Sequence, residues 1–358
     1  VGIAKKYSFL LAFLIPLSLI PAILEKGIFF FSTIFLVFFL LPILDEIVGK
    51  DSENPHPEQE ENLIQDSFFK ALTMIWAFLQ LPTLLYCVWF SVSHELQSWE
   101  WFLFAISVGI VGGVGINVAH ELGHKNTELE RFLSKYILLT VNYLHFYIEH
   151  NRGHHVHVST PRDPATARLG ESFYLFFPRV VWGSVKSAWE IATTTALKKG
   201  FSKISLQNEF ISFILFQTFF MGIVGFGFHY VFGASFVMVI SFLMIQSLVA
   251  IALLELVNYI EHYGLMRMEV SPGKYEKVMP IHSWNANHML SNAFLFQLQR
   301  HSDHHANAGR RFQILRHFEE SPQLPYGYQT MILFALVPPL WRNIMEPILV
   351  NWRENHTN

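Results

Sequence analysis

The chain has 358 residues and one cysteine, Cys87. A single thiol excludes an intramolecular disulfide and any CxxC zinc, rubredoxin-type or thioredoxin-type site, so a redox centre here must use other ligands. Charge is also scarce: Asp, Glu, Lys and Arg make up 15% of the chain, against about 25% in soluble domains. The net charge of −3 is small. No arginine-rich cluster offers a phosphate-binding face, and no nucleic-acid partner is expected. No G-x-G-x-x-G string marks a flavin or nicotinamide site. What is abundant is apolar residues, at 52% with 35 Phe, and histidine, with 18 copies.

The apolar residues fall into runs free of Asp, Glu, Lys and Arg. A helix needs about 20 mostly apolar residues to cross a bilayer, and residues 7–24, 27–44, 71–93 and 101–119 each supply one such run. Residues 210–254 form a 45-residue run, read as two spans with a turn near Phe232-Gly233-Ala234, giving spans at about 210–231 and 235–256. Lys5 and Lys6 precede the first run as in a signal peptide, but the run is long, contains Pro16 and lacks an A-x-A exit, so it is a retained span. Residues 136–148 and 325–341 are too short or too broken to cross, and are expected at the interface or inside the protein. The fold class is therefore an all-α integral membrane protein, read as one domain over 1–358, with six transmembrane helices and a histidine-rich helical cap over 120–208 and 257–358. Residues 120–208 carry 11 Lys or Arg, whereas the three short connections on the other side carry one. The positive-inside rule then places the cap and both termini in the cytoplasm. The acidic 45–66 segment is expected to be a solvated loop on the same side.

The histidines gather in that cap. "HELGHK" at 120–125 holds His120 and His124, "EHNRGHH" holds His150, His154 and His155, and "QRHSDHH" holds His301, His304 and His305. Taken alone, HELGHK fits the H-E-x-x-H pattern of zinc proteases. That reading would leave the HxxxHH and HxxHH clusters without a role. Eight clustered imidazoles exceed one tetrahedral metal, which takes four ligands, so two metals fit. Imidazole suits iron, copper, zinc and nickel alike. Soluble di-iron bundles use two Glu-x-x-His strings, whereas this chain has one, Glu121 to His124, so the site must be rich in nitrogen. Glu121 is then expected to accept a hydrogen bond from a ligand imidazole and fix its tautomer. Glu149, Glu261 and Asp303 adjoin ligands and are further candidate acceptors. His288 is a candidate beside the site or the substrate. His157, His145, His282 and His317 are expected to be structural or peripheral, and His56, His94 and His356 to be at the surface. Asp163 precedes Pro164 and reads as a turn or cap residue.

These strings, together with "DPATAR" and "NYIEHYGL", resemble the histidine boxes of the membrane alkane 1-monooxygenases, a family of the integral-membrane desaturase and hydroxylase superfamily. The resemblance covers about residues 100–320. It implies two irons held by nine histidines: His120, His124, His150, His154, His155, His262, His301, His304 and His305. His262, in NYIEHYGL, enters the set only through the resemblance. The implied reaction is O2-dependent hydroxylation of medium-chain n-alkanes to 1-alkanols, in a bacterial cytoplasmic (inner) membrane, with substrate arriving from the lipid. The implied electron donors are rubredoxin and rubredoxin reductase, the former either separate or fused beyond Asn358. Arg310, Arg311 and Arg316 offer a candidate dock for such an acidic donor. Counting helical turns back from His120 puts Ile116, Gly112 and Gly113 along a candidate substrate channel, against close packing between helices. Rival readings are a fatty-acyl desaturase, an aryl-methyl monooxygenase or a sterol-type hydroxylase within the superfamily, and a metal transporter or sensor outside it. Transport favours ionisable residues inside spans, and these spans have almost none.

Overall fold

The structure is a computed structural model and describes residues 2–356. Val1, Thr357, Asn358 and the side chain of His356 lie outside the described residues. Six helices are long and apolar enough to cross a membrane: Ile3–Glu25, Gly27–Val48, Ser67–Ser93, Ser98–Gly123, Glu209–Phe232 and Phe236–His262. They contain the six charge-free runs, lengthened by their caps. Asp66 accepts from Phe68 N at 3.0 Å to start the third span, and Asn208 accepts from Phe210 N at 3.1 Å to start the fifth. Gly233, at φ 65°, closes the fifth in the left-handed conformation that glycine tolerates. The first two spans are irregular, with 3-10 turns at Phe9–Phe13 and Gly27–Phe31 and a π turn at Leu36–Leu40.

Span four is the axis of the bundle. Its middle and C-terminal half are almost wholly buried, and it packs most closely against span six. Glycine makes that approach possible. A Cβ on Gly109 would lie 2.6 Å from Val249 Cβ and 2.7 Å from the Gln246 carbonyl, and one on Gly113 would lie 3.1 Å from Leu253 Cδ1. The two glycines are four apart and share a helix face, the small-xxx-small arrangement that lets membrane helices touch through their backbones. Gly112 meets Val141 and Ala250 on a neighbouring face. His120 and Glu261 are thereby held at the same end of two clasped helices.

The cap closes over that end. The helices Tyr328–Ala335 and Pro338–His356 bury Tyr328, Met331, Trp341 and Met345 against Tyr259 and Tyr263 of span six. The stretch around 136–148 likewise lies inside the protein. A short antiparallel hairpin, Glu269–Ser271 with Lys274–Tyr275, supplies the only strands among the described residues.

The 45–66 segment departs from expectation, because much of it is clamped to other parts of the chain. Asp45 is buried and accepts from Ser291 N at 3.0 Å. Asp51 pairs with Lys5, Asp66 with Lys6, and Glu60 with Arg316. The carbonyls of Asp51 and Glu53 accept from the Arg300 guanidinium at 3.1 and 3.0 Å. Most of the segment, including Glu46, Lys50, Ser52, His56, Glu58 and Glu61, is nonetheless exposed, as expected of a solvated stretch.

Replacing Gly109 by Leu should part spans four and six. Overpacking of this kind costs about 1–3 kcal/mol, so the melting temperature in detergent should fall and bound metal should be lost. Gly222→Leu, where an added Cβ meets nothing within 4 Å, should leave both unchanged.

Candidate metal centre

Four pieces of chain converge beneath the cap. Span four ends in His120, with His124 at its C-cap. The short helix His145–Glu149 runs into a π turn over His150–His154 and then His155–His157. Span six ends in His262, and the short helix His301–Ala306 carries the last three histidines. The π turn accounts for the HxxxHH spacing. In an α-helix, a residue five along points well away from the first. A π turn closes i→i+5 and returns His155 to the side of His150, with their Nε2 atoms 3.0 Å apart. His154, one residue earlier, reaches the other group. Gly153 lets this turn pack, since a Cβ there would lie 2.6 Å from Glu149 Oε1.

The nine histidines form two groups. His120, His124, His150, His155 and His304 make one, and His154, His262, His301 and His305 the other, with ligand atoms in each within 4.8 Å of one another. In the first, Nε2 pairs lie at 2.8 Å (His120–His304), 3.1 Å (His124–His150) and 3.2 Å (His155–His304). In the second they lie at 2.8 Å (His301–His305), 3.2 Å (His154–His305) and 3.3 Å (His262–His301). Metal–imidazole bonds of about 2.1 Å at right angles would set neighbouring nitrogens about 3.0 Å apart, so the spacing suits a central cation. Burial pushes His124, His150, His155, His301, His304 and His305 well below the usual imidazole range. Each therefore offers a neutral ring with a nitrogen lone pair.

The outer contacts redistribute the expected acceptors. Asp163 is the residue the sequence reading missed. Its Oδ1 accepts from Ala165 N at 3.1 Å, the expected turn, but Oδ2 lies 3.0 Å from His154 Nδ1 and accepts from Thr166 Oγ1 at 2.6 Å. Burial works against a proton on His154, but the Asp163 carboxylate outweighs it and raises that imidazole above its ordinary value. Glu261 sits against the second group, with Oε2 3.1 Å from His301 Nε2 and Oε1 accepting from Tyr328 at 2.8 Å.

Glu121, by contrast, pairs with Lys125 at 2.9 Å and accepts from Phe312 N at 3.2 Å, so its carboxylate serves the cap and not an imidazole. Glu149 accepts from Ser187 at 3.2 Å, and burial raises its carboxyl to about 8. Asp303 grips Arg310 through both oxygens at 2.7 Å and accepts from Arg316 N at 2.8 Å. His288 is buried beside Glu46, at 3.3 Å, in the N-cap position of Met289–Phe294, apart from both groups. Burial lowers its imidazole to about 4. His94 is only half exposed, stacked on Phe90 with ring centroids 4.3 Å apart.

A narrow cavity opens beneath the histidines. Its wall includes His120, His150, His301 and Glu261 at the metal end, and Val37, Phe38, Ile110, Leu253, Leu254 and Ile332 elsewhere. Span four contributes Ile110, Gly113, Val114, Asn117 and His120. Gly113 therefore lines this cavity, whereas Gly112 and Ile116 pack into the protein. At 3.6 residues per turn, His120 lies at one margin of the cavity-facing stripe, so four residues back from it the chain has turned off that stripe.

Comparison with known proteins agrees with this architecture. A family model described as fatty acid desaturase matches residues 97–335. The chain is 44% identical to alkane 1-monooxygenase 2 of Pseudomonas aeruginosa over 316 residues, 87% of this chain and 81% of that protein. It is 40% identical to alkane 1-monooxygenase of Acinetobacter baylyi over 338 residues, 93% of this chain and 80% of that protein.

The chain belongs to the alkane 1-monooxygenase family.

The xylene/toluene monooxygenase hydroxylase component of Pseudomonas putida is more distant, at 29% identity over 253 residues, 70% of this chain and 65% of that protein. For this alkane 1-monooxygenase family member, removal of the Asp163 carboxylate should act on one metal group only. Loss of an outer carboxylate commonly costs about 10–100-fold in metal affinity or activity. Elemental analysis of Asp163→Ala at limiting metal should show about one ion fewer per chain than the parent, held by the five-histidine group. Equal loading would remove Asp163 from the site.

Proposed function

We propose that the protein hydroxylates the terminal carbon of medium-chain n-alkanes at a di-iron centre held by the nine histidines. The reaction is alkane + O2 + two electrons + two protons → 1-alkanol + water. The observation that carries this reading is the placement of two convergent imidazole groups at the head of a mostly apolar cavity. Iron fits the donor set, since imidazole suits it and five nitrogens exceed the four ligands of a structural zinc. Two irons so held would supply the reduction of O2 and the oxidation of the C–H bond. The chain's own residues do the rest. Val37, Phe38, Ile110, Leu253 and Leu254 exclude water and hold an alkyl chain in line with the metals. Asp163 orients His154, and Glu261, held by Tyr328, sets a carboxylate oxygen beside the metal-facing nitrogen of His301.

Electrons must come from outside residues 1–358, whose single cysteine, Cys87, is buried in span three. A rubredoxin served by its reductase fits that need. The dock read from sequence does not survive. Arg310 pairs with Asp303, Arg311 with Glu130 and Arg316 with Glu60, so their charge is spent inside the protein. An open surface dish lined by His124, Asn126, Arg131, Asn151 and the paired Arg152 and Glu209 reaches a ligand histidine directly, and is an alternative entry. The Lys and Arg bias of the cap supports a cytoplasmic orientation in a bacterial inner membrane.

Purified protein should carry about two irons per chain and, with a reducing system, convert octane to 1-octanol by gas chromatography. Conversion of toluene or an acyl chain in preference to octane would favour the rival readings. Gly113→Phe should shift the chain-length profile toward shorter alkanes while keeping terminal hydroxylation. Ile116→Trp, which overpacks a buried contact, should lower expression and iron content for every substrate alike. An unchanged profile in iron-loaded Gly113→Phe would take this face out of the chamber.

A further inference from the structure

Two asparagines interrupt the apolar wall close to the metal groups. Asn117 lies three residues before His120 on span four, and Asn258 lies three before Glu261 on span six. At 1.5 Å per residue, each is about 4.5 Å along its helix from the metal end. Both are buried and both line the cavity. Each amide has its Nδ2 committed: Asn117 donates to the Leu295 carbonyl at 2.7 Å, and Asn258 to Glu255 Oε2 at 2.9 Å. A carbonyl and a carboxylate can only accept, so these bonds fix which way each amide faces. Glu255 is itself held by Tyr143, whose hydroxyl donates to Oε1 at 2.8 Å.

The orientation leaves two amide oxygens unused. Among the described residues, no donor pairs with Asn117 Oδ1 or Asn258 Oδ1. Of the other acceptors on this wall, Gln329 Oε1 takes Ser291 at 2.6 Å and Glu261 Oε1 takes Tyr328, while Glu261 Oε2 lies against the metal-facing nitrogen of His301. An amide oxygen left without a donor in apolar surroundings is costly, and an alkane has no donor to give it. A primary alcohol has one.

We propose that Asn117 and Asn258 form an acceptor pair for a hydroxyl hydrogen, making the metal end of the cavity a binding site for 1-alkanols. The inference rests on reading the cavity as the alkane chamber. It gives the protein a means of telling product from substrate: the alkyl chains bind alike, and the alcohol gains a hydrogen bond that the alkane lacks. The product then leaves more slowly than its chain length alone dictates, and it competes with fresh alkane. Glu255 is a positioning residue, acting through the Asn258 amide.

The test is equilibrium binding to the metal-loaded protein without O2 or reductant, with n-octane, 1-octanol and octyl methyl ether as probes, each corrected for partition into detergent. The parent should bind 1-octanol about tenfold more tightly than the ether, which keeps the oxygen but has no donor, in line with one net hydrogen bond. Asn117→Leu and Asn258→Leu should each remove most of that preference while octane binding changes less than about twofold. Glu255→Gln, which lets the Asn258 amide turn over, should give an intermediate loss. If either leucine variant fails to load metal, the alcohol-to-ether ratio of the parent still decides. Equal binding of alcohol and ether, or a preference that survives both leucine changes, overturns the acceptor pair and leaves the chamber standing. Failure of octane to bind, or to compete with octanol, overturns the chamber and the pair with it.

Discussion

Nine imidazole nitrogens facing two points in space are the constraint on which the rest of this structure depends. Nitrogen lone pairs 2.8–3.3 Å apart gain nothing from one another as neutral rings, and burial favours the neutral ring at each of the nine that lies outside the membrane spans except His154, which Asp163 holds. A cation held at each point would turn that unfavourable convergence into a favourable set of contacts. The sequence elements that meet there are short and far apart in the chain, so metal binding and the folding of the cap should be coupled, as is general where no preformed site exists in the unfolded chain.

Charge is arranged to protect that convergence. Most of the carboxylates beside the ligands are occupied elsewhere: Glu121 by Lys125, Asp303 by Arg310 and Glu149 by Ser187. Asp163 and Glu261 are the two that face imidazoles. The site thus keeps its nitrogen-rich character in a chain with more acidic than basic residues. The same economy explains the arginines after the third histidine cluster, which brace the roof of the site instead of presenting charge to a partner. Beneath the roof, the clasp of Gly109 and Gly113 on span six aligns the two ligand-bearing helix ends and opens an apolar chamber between them.

Much of this was legible in the sequence because it follows from local pattern. Charge-free runs marked the spans, and tight histidine spacing marked eight of the nine histidines that converge. His262 stands alone in sequence and was reached only through the NYIEHYGL resemblance. The rest was hidden for physical reasons. Asp163 does form the turn that its proline neighbour suggests, and only its second oxygen works on His154. The partners of Arg311 and Arg316 lie 181 and 256 residues away, beyond any local signal. Ile116 and Gly112 were placed on the channel because turns were counted from His120, which sits at the margin of the cavity-facing stripe. The π turn at His150–His154 has no sequence signature beyond the histidine spacing it serves.

The central claim is that nitrogen alone, from two groups of five and four imidazoles, dominates the coordination of two irons. X-ray absorption at the iron edge of the anaerobic, reduced protein tests this most directly. The account predicts a first shell dominated by nitrogen at about 2.1 Å, with the outer-shell scattering characteristic of several imidazole rings per iron. A first shell dominated by carboxylate oxygen or by sulfur would contradict it.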